Sequence, residues 1–331
     1  MALEFGVVIP TWGSFGRPDR IRALILRAEE LGFASAWVGD HLFLPDYAVP
    51  LSPANWYEAI TCCVLGLGMT ERIRFGTDVL VTPYRDPRLL AKMAATADRL
   101  SGGRLTLGMG VGFLEGEFRS LGAPDYALRG AVTDEYLEVM RRLWETEGEV
   151  GYAGDHIRFE PAHFLPKPEQ SPLPIWVGGN GERALRRAAK LGDGWHPLFP
   201  SPARYAAGRA RIEVLRGERG IEDFTFSYSC PETRIVDDPA AIPIGTGYAG
   251  AEGLPADYAY APPPPSTPEG RSLFLGTAEQ VGDDIEALAS AGVEHFVLRF
   301  WAGSEEVGIE DSLEQMERFV DRVKPRFSAD G

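Results

Sequence analysis

The strongest constraint on this chain is a repeated alternation of short apolar runs and amphipathic helix patterns. Phe5–Ile9 is an apolar run closed by Pro10. Pro18 then opens a helix pattern in which Ile21, Leu24, Ile25, Ala28 and Leu31 recur at helical spacing, until Gly32 stops it. The same pairing predicts strands at Ala36–Val38, Ile73–Val81, Arg104–Met109, Pro174–Val177, Gly194–His196, Phe224–Ser229 and His295–Phe300. Helices are predicted around Trp56–Leu67, Pro87–Leu100, Asp134–Trp144, Glu182–Leu191, Pro202–Arg219, Thr277–Ala291 and Ile309–Val323. Eight short apolar strands, each followed by a helix, suit a parallel sheet covered on both faces. Eight such units in 331 residues match an α/β chain of the (β/α)8 TIM-barrel type. The alternative is a doubly wound open sheet, which the absence of GxGxxG after the first strand weakens.

The expected organisation is one domain over residues 1–331 with inserted loops on the C-terminal face. Residues 145–173 read as a hairpin and a proline-rich connection. Residues 231–273 hold nine prolines, four of them consecutive at 262–265, and five glycines. That segment cannot form a regular helix or central strand. It falls between a strand and its following helix, so a barrel would place it over the site, as a lid or as a surface excursion.

Charge and cysteine content exclude several classes of function. The net charge of −15 argues against general nucleic-acid binding and against docking on anionic membranes. Cys62, Cys63 and Cys230 have no metal-site spacing and read as buried free thiols of a reducing compartment. The opening MALEFGVVIPTWG lacks a basic leader and a cleavable apolar run, and no stretch approaches membrane-spanning length. The expected location is the cytoplasm. No HExxH or HxxxH spacing exists, so no metal is expected. No GxSxG elbow exists, and Lys92, Lys167, Lys190 and Lys324 all avoid the predicted strand ends.

In a barrel, chemistry sits on the loops after the strands. Asp40 and His41 follow the second strand, and a histidine there is either an acid–base group or a satisfied structural residue. Gly178, Gly179, Asn180 and Gly181 run into a helix, which reads as a phosphate cradle or as a plain tight turn. The alternating glycines of Gly108–Phe113, with Gly110 and Gly112, let a flat ring approach the backbone or let elements pack closely. Glu115 and Glu117 follow as carboxylates favoured by a helix start, and Glu115 is placed with the substrate pocket. Trp12, Phe43, Phe113, Trp195 and Trp301 sit at the rim and suit the walls of an apolar slot. A cradle, a ring slot and one histidine, with no metal, point to a bound organic cofactor.

These motifs resemble the bacterial-luciferase-like flavin and deazaflavin oxidoreductases. The resemblance rests on AEELGFASAWVGDH, on ERIRFGTDVLVTPYRDPRLLAKMAATADRLSGGRLTLGMGVGFLEGEF and on LPIWVGGNGERALRRAAKLGDGW. It lapses across 231–273, and its pattern is most similar to the branch assigned to coenzyme F420. It implies a TIM barrel with the cofactor at the C-terminal end. It implies that Gly178–Gly181 bind the cofactor phosphate and that Asp40 and His41 lie against the ring. It implies that His41 serves as proton donor or acceptor. It also implies a non-proline cis peptide at Asp78–Val79 that bulges behind the ring. Phe113 stands where some sugar-phosphate dehydrogenases carry a catalytic glutamate, which counts against glucose-6-phosphate oxidation. The resulting expectation is an F420-dependent oxidoreductase acting on a small unsaturated, imine, carbonyl or alcohol substrate, and commonly a homodimer. The alternatives are an FMN-dependent monooxygenase that uses O2 and a separate reductase, and a catalytically silent flavin-binding protein.

Overall fold

The computed structural model describes residues 3–49, 52–238, 265–267, 270–300 and 308–327. Eight parallel strands form its centre: β1 (Glu4–Val8), β2 (Ser35–Val38), β3 (Arg74–Thr77), β4 (Leu105–Gly110), β5 (Ile175–Gly178), β6 (Gly194–His196), β7 (Thr225–Glu232) and β8 (His295–Arg299). Each pairs with its chain neighbours, and β1 also pairs with β8, with Glu4 opposite His295. The sheet therefore closes, as the eight-unit count predicted, and the open-sheet alternative is set aside.

The covering helices are α1 (Pro18–Glu30), α2 (Ala59–Met69), α3 (Pro87–Leu100), α5 (Arg129–Glu145), α6 (Glu182–Leu191), α7 (Pro202–Arg216), α8 (Ala278–Ser290) and α9 (Ile309–Arg322), with a short α4 (Glu115–Leu121) ahead of α5. Their starts are chemically marked. Asp86 accepts from the Arg88 N–H ahead of Pro87, Ser201 caps α7 ahead of Pro202, and Thr277 closes a capping box with Gln280.

The core has two layers. Strand residues that point outward meet the helices in one continuous apolar cluster, which includes Ile25, Phe75, Leu107, Ile175 and Phe296. Residues that point inward fill the barrel with Val8, Trp37, Trp176 and Val297, so the barrel is packed and not a pore. Trp37 stacks on Trp176 at 5.0 Å and on His196 at 5.0 Å. At the barrel's N-terminal end, His295 bridges Ser35 Oγ (2.8 Å) and Glu4 Oε2 (2.8 Å), which satisfies a buried imidazole.

The two excursions go to opposite ends. Glu149–Ala153 and Arg158–His163 form the expected antiparallel hairpin, which lies after a helix and so on the N-terminal side. At the other excursion, Arg234–Ile235 pairs in parallel with Leu275–Gly276 at the C-terminal side. Residues 239–264 and 268–269 of that segment lie outside the described residues, as does Trp301. Among the described residues, no helix is long and apolar enough to cross a membrane, and no group of three or more His, Cys, Asp or Glu is placed to hold a metal ion. Cys62, Cys63 and Cys230 are buried free thiols.

Candidate active site

His41 lies just past β2 and is fixed from below. Its Nδ1 sits 2.9 Å from Glu117 Oε2. Glu117, on α4, is wholly buried, with 0% of its surface exposed. It accepts from the Leu42 N–H (2.6 Å), the Phe43 N–H (3.0 Å) and the Tyr84 hydroxyl (3.0 Å). Burial pushes its carboxyl up, but the hydrogen bond and charge of His41 and the two backbone N–H groups outweigh that and hold it below the ordinary value. Burial, reinforced by Glu117, raises the phenol of Tyr84, so Tyr84 stays protonated and donates. A carboxylate on Nδ1 assigns the proton there and leaves Nε2 as the nitrogen for a reacting partner.

Asp40 does a different job. Arg85 grips both its oxygens, NH1 on Oδ2 (2.8 Å) and NH2 on Oδ1 (2.7 Å). The Val81 N–H adds a third bond at 2.9 Å, and Arg85 reaches on to Glu58 at 2.6 Å. Such a bidentate fork holds the loops after β2 and β3 together. With its oxygens so engaged, Asp40 positions the site, and His41 is the member of the pair equipped to move a proton.

The Asp78–Val79 bond is cis, at the position the resemblance implied. A Cβ on Gly110 would come within 2.6 Å of Val79, and one on Gly108 within 1.9 Å of the Thr77 oxygen. The glycines of β4 therefore make room for the kink after β3, which is the close-packing reading of that motif. Gly112 takes a left-handed turn (φ +77°) towards α4. The Asp78 carboxylate is buried and accepts from His196 Nε2 (2.9 Å), Ser229 Oγ (3.0 Å) and Arg299. Burial opposes its charge, but Arg299 and His196 keep it well below the usual carboxylate range.

Gly178 ends β5 and Gly181 caps α6, so the four-residue turn delivers helix-start N–H groups to the barrel mouth. Gly179 has φ +113°, a conformation glycine tolerates best. The Asn180 side chain braces the next loop, donating to the Leu198 oxygen (2.7 Å) and accepting from its N–H (3.1 Å). Arg183 and Arg204 are exposed in the first turns of α6 and α7, with no ion pair among the described residues.

Of the expected slot walls, Trp12 and Phe113 are half-buried near His41, whose ring meets Phe113 at 5.9 Å. Trp12 stacks on Trp56 at 4.3 Å, and Trp56 meets the His41 ring edge-on at 4.8 Å. Phe43 stands at the rim, 61% exposed. Two expectations are corrected. Trp195 is only 1% exposed and packs on Tyr205. Strand alternation sends it outward while His196 points in, and its Nε1 braces the Gly179 oxygen (2.9 Å). Glu115 pairs with Arg119 (2.8 Å) on the solvent side of α4, and Glu117 takes the inner place. Sequence reading also passed over Trp56, Tyr84 and Arg85, whose only signal was their position after strands two and three.

A closed parallel barrel with a gripped histidine and a glycine cradle at its C-terminal mouth is an enzyme scaffold of the cofactor-binding kind. The profile of the luciferase-like monooxygenase family matches residues 3–241, and the chain belongs to that family of oxidoreductases. A putative coenzyme F420-dependent oxidoreductase of Mycobacterium tuberculosis is 31% identical over 268 residues, covering 73% of this chain and 70% of that protein. An F420-dependent glucose-6-phosphate dehydrogenase of Amycolatopsis mediterranei is 34% identical, covering 55% of this chain and 53% of that protein. A further M. tuberculosis protein, described as uncharacterized, is 36% identical, and the match spans 64% of its length, under two thirds. Among solved structures, an F420-dependent secondary alcohol dehydrogenase superposes with a TM-score of 0.79 at 21% identity, covering 99% of this chain and 100% of that one. A monooxygenase of Streptomyces bottropensis does so at 0.79 and 22%, covering 98% and 100%. Those two likenesses speak for the fold.

Proposed function

We propose that this chain is a coenzyme F420-dependent oxidoreductase that moves a hydride between the deazaflavin and a small organic carbonyl, alcohol, imine or unsaturated compound. The observation that carries the reading is His41, held through Nδ1 on a buried, ionised Glu117 at the mouth of the barrel. The F420-dependent relatives support the cofactor.

The residues present fit such a group. The Gly178–Gly181 turn and the α6 start suit its phosphate, and Arg183 and Arg204 suit an anionic tail. Thr11 Oγ1 and Thr82 Oγ1 are buried near the ends of β1 and β3 without a hydrogen-bond partner, polar atoms that a bound heterocycle satisfies. When bound, the deazaflavin supplies or accepts the hydride. This chain's residues do the rest. Asp40 and Arg85 hold the loops, Trp12 and Phe113 exclude water, and His41 Nε2 gives a proton to the substrate oxygen or takes one from it. Glu117 stabilises the charged imidazole without leaving its place. His41→Ala should bind F420 yet lose turnover, and full activity in that variant would overturn the role.

The second reading keeps the fold and uses reduced FMN with O2, for which the family's description as luciferase-like monooxygenases speaks. Titration with F420 and, separately, with FMN decides between the two. Tight FMN binding with substrate-coupled oxygen uptake would replace the first reading.

We also infer a homodimer. Helix α2 carries no charged residue, and its outer positions include exposed Val64 and Leu65. An uncharged helix with apolar residues on its outer side suits cover by a second copy. Val64→Asp should convert the dimer to monomer in sedimentation, and an unchanged mass would refute the interface.

A further inference from the structure

We propose that the substrate is an uncharged, flat, ring-bearing ketone or enone, and not a phosphorylated or carboxylated compound. The inference rests on the hydride-transfer reading above and names the substrate class of that same site.

The mouth of the barrel is divided by charge. On the β5–β6 side stand the glycine cradle, the α6 start, Arg183 and Arg204, all suited to an anion. On the opposite side, the ion-pair network around His41 holds Asp40, Glu58 and Glu117 against the guanidinium of Arg85 and the His41 ring. Arg85 is already spent on Asp40 and Glu58, so the balance there is acidic. Arg234 and Arg271, beyond β7, are likewise matched to Asp311 and Asp284. Residues 50–51, 239–264, 268–269 and 301–307 contain no Lys, Arg or His, so those stretches of sequence bring no cation either. With the His41 ring itself charged, three carboxylates there still face two cations, while Arg20 is held on the Ser14 oxygen and Arg129 over the Tyr126 ring, so an anionic substrate at His41 would meet a net negative site.

What surrounds His41 instead is aromatic. Trp12 and Trp56 stack with planes 17° apart, and Phe113 meets the imidazole at 88°. A Cβ on Gly39 would lie 2.8 Å from Trp56, so the indole rests directly on the strand-end backbone. A planar apolar molecule gains most from such walls. The one proton-transfer group at its edge is His41, backed by Glu117. A neutral carbonyl needs that proton as hydride arrives at carbon: the C=O π pair moves to oxygen, which takes the proton from Nε2, and the carbon gains the C–H bond. An iminium already carries its proton and would face a charged imidazole, so the neutral carbonyl fits better.

The test uses a matched pair of ligands, 4-phenyl-3-buten-2-one and the same enone bearing a para-carboxylate. Binding to the full-length protein is measured by calorimetry and tryptophan fluorescence, with and without F420. The neutral enone should bind about 30-fold tighter, as expected for one charge about 8 Å from an unbalanced carboxylate at an effective dielectric of about 20. Phe113→Leu should weaken it about 3- to 10-fold and 3-buten-2-one by less. Equal or tighter binding of the carboxylate, binding of neither enone, or displacement of the neutral enone by glucose 6-phosphate would overturn the proposal. Loss of both ligands equally in Phe113→Leu would also count against it. Failure to bind F420 with the neutral preference intact would overturn the cofactor reading and leave the substrate class standing.

Discussion

Glu117→Gln isolates the charge beneath His41 while keeping the shape of the side chain. Glu117 accepts four hydrogen bonds, two from backbone N–H groups of residues 42 and 43, one from Tyr84 and one from His41. The backbone donors cannot turn, so the retained amide oxygen goes to them. The new NH2 then faces His41 Nδ1 and the Tyr84 oxygen. Nδ1 must become an acceptor, so the neutral ring carries its proton on Nε2, and its charged form loses a buried partner. A charge-assisted hydrogen bond of this kind is worth about 1.5–3 kcal/mol. If His41 is charged in the rate-limiting state, kcat should fall roughly 10- to 100-fold. F420 affinity should stay within about 2-fold, because Glu117 lies beneath the loop and away from the cradle. The pH–rate profile should change, because the charged ring loses the carboxylate that faces it. The assay is steady-state reduction of a neutral enone by reduced F420, followed from pH 5.5 to 9, with cofactor binding titrated in parallel. An unchanged kcat together with an unchanged profile would refute Glu117 as the group that stabilises the charged His41 ring.

Asp78→Asn should lower unfolding free energy by about 3–5 kcal/mol in urea, because it removes the carboxylate that neutralises the buried guanidinium of Arg299. Asp78's folded pKa is lowered from 3.8, so its contribution is fully present above that value and is lost as pH falls through the folded one; the acid limb of stability should flatten in the variant. Gly179→Ala forces a side chain onto φ +113° and should weaken F420 binding about 10-fold, read by fluorescence titration, with stability falling by about 1–2 kcal/mol. Burial pushes the Cys62 thiol up to about 12, and it raises Cys63 and Cys230 as well. A thiol-disulfide reagent at pH 8 should leave all three untouched in native protein and titrate three on unfolding; rapid reaction of one in native protein would show it accessible.

The barrel was legible because its signals are local and repeated. Each apolar run ends in proline, glycine or a polar loop, and each helix carries a stripe such as Ile21, Leu24, Ile25 and Ala28 that the structure buries. Of helix α4 only the start was legible, because seven residues, EGEFRSL, are too few to show a period, and that start lacks a side-chain cap. That omission hid the most informative contact of the site. Residues 115 and 117 are two apart, and on a helix they project to nearly opposite sides. Composition cannot choose between two glutamates of equal chemistry. The choice depends on which side of α4 meets the loop carrying His41, and that is a tertiary fact.

The case of Trp195 differs, because a local signal did exist. A three-residue strand, Gly194-Trp195-His196, must send one of its two large side chains inward and the other out. Gly208 on α7 supplies the receiving hollow: a Cβ there would lie 2.4 Å from the indole of Trp195. A bare glycine in mid-helix opposite a tryptophan implies that the ring packs between strand and helix, so His196 takes the interior. Once inside, His196 has to be satisfied, and Ser227 Oγ at 2.7 Å and Asp78 at 2.9 Å do so. The barrel's two buried layers are thus coupled. The outward packing of one aromatic fixes an inward imidazole, that imidazole fixes the carboxylate at the β3 kink, and the kink fills the room left by the glycines of β4. Sequence motifs that looked like separate ring-binding signals are, in three dimensions, one packed support for the loops that carry His41.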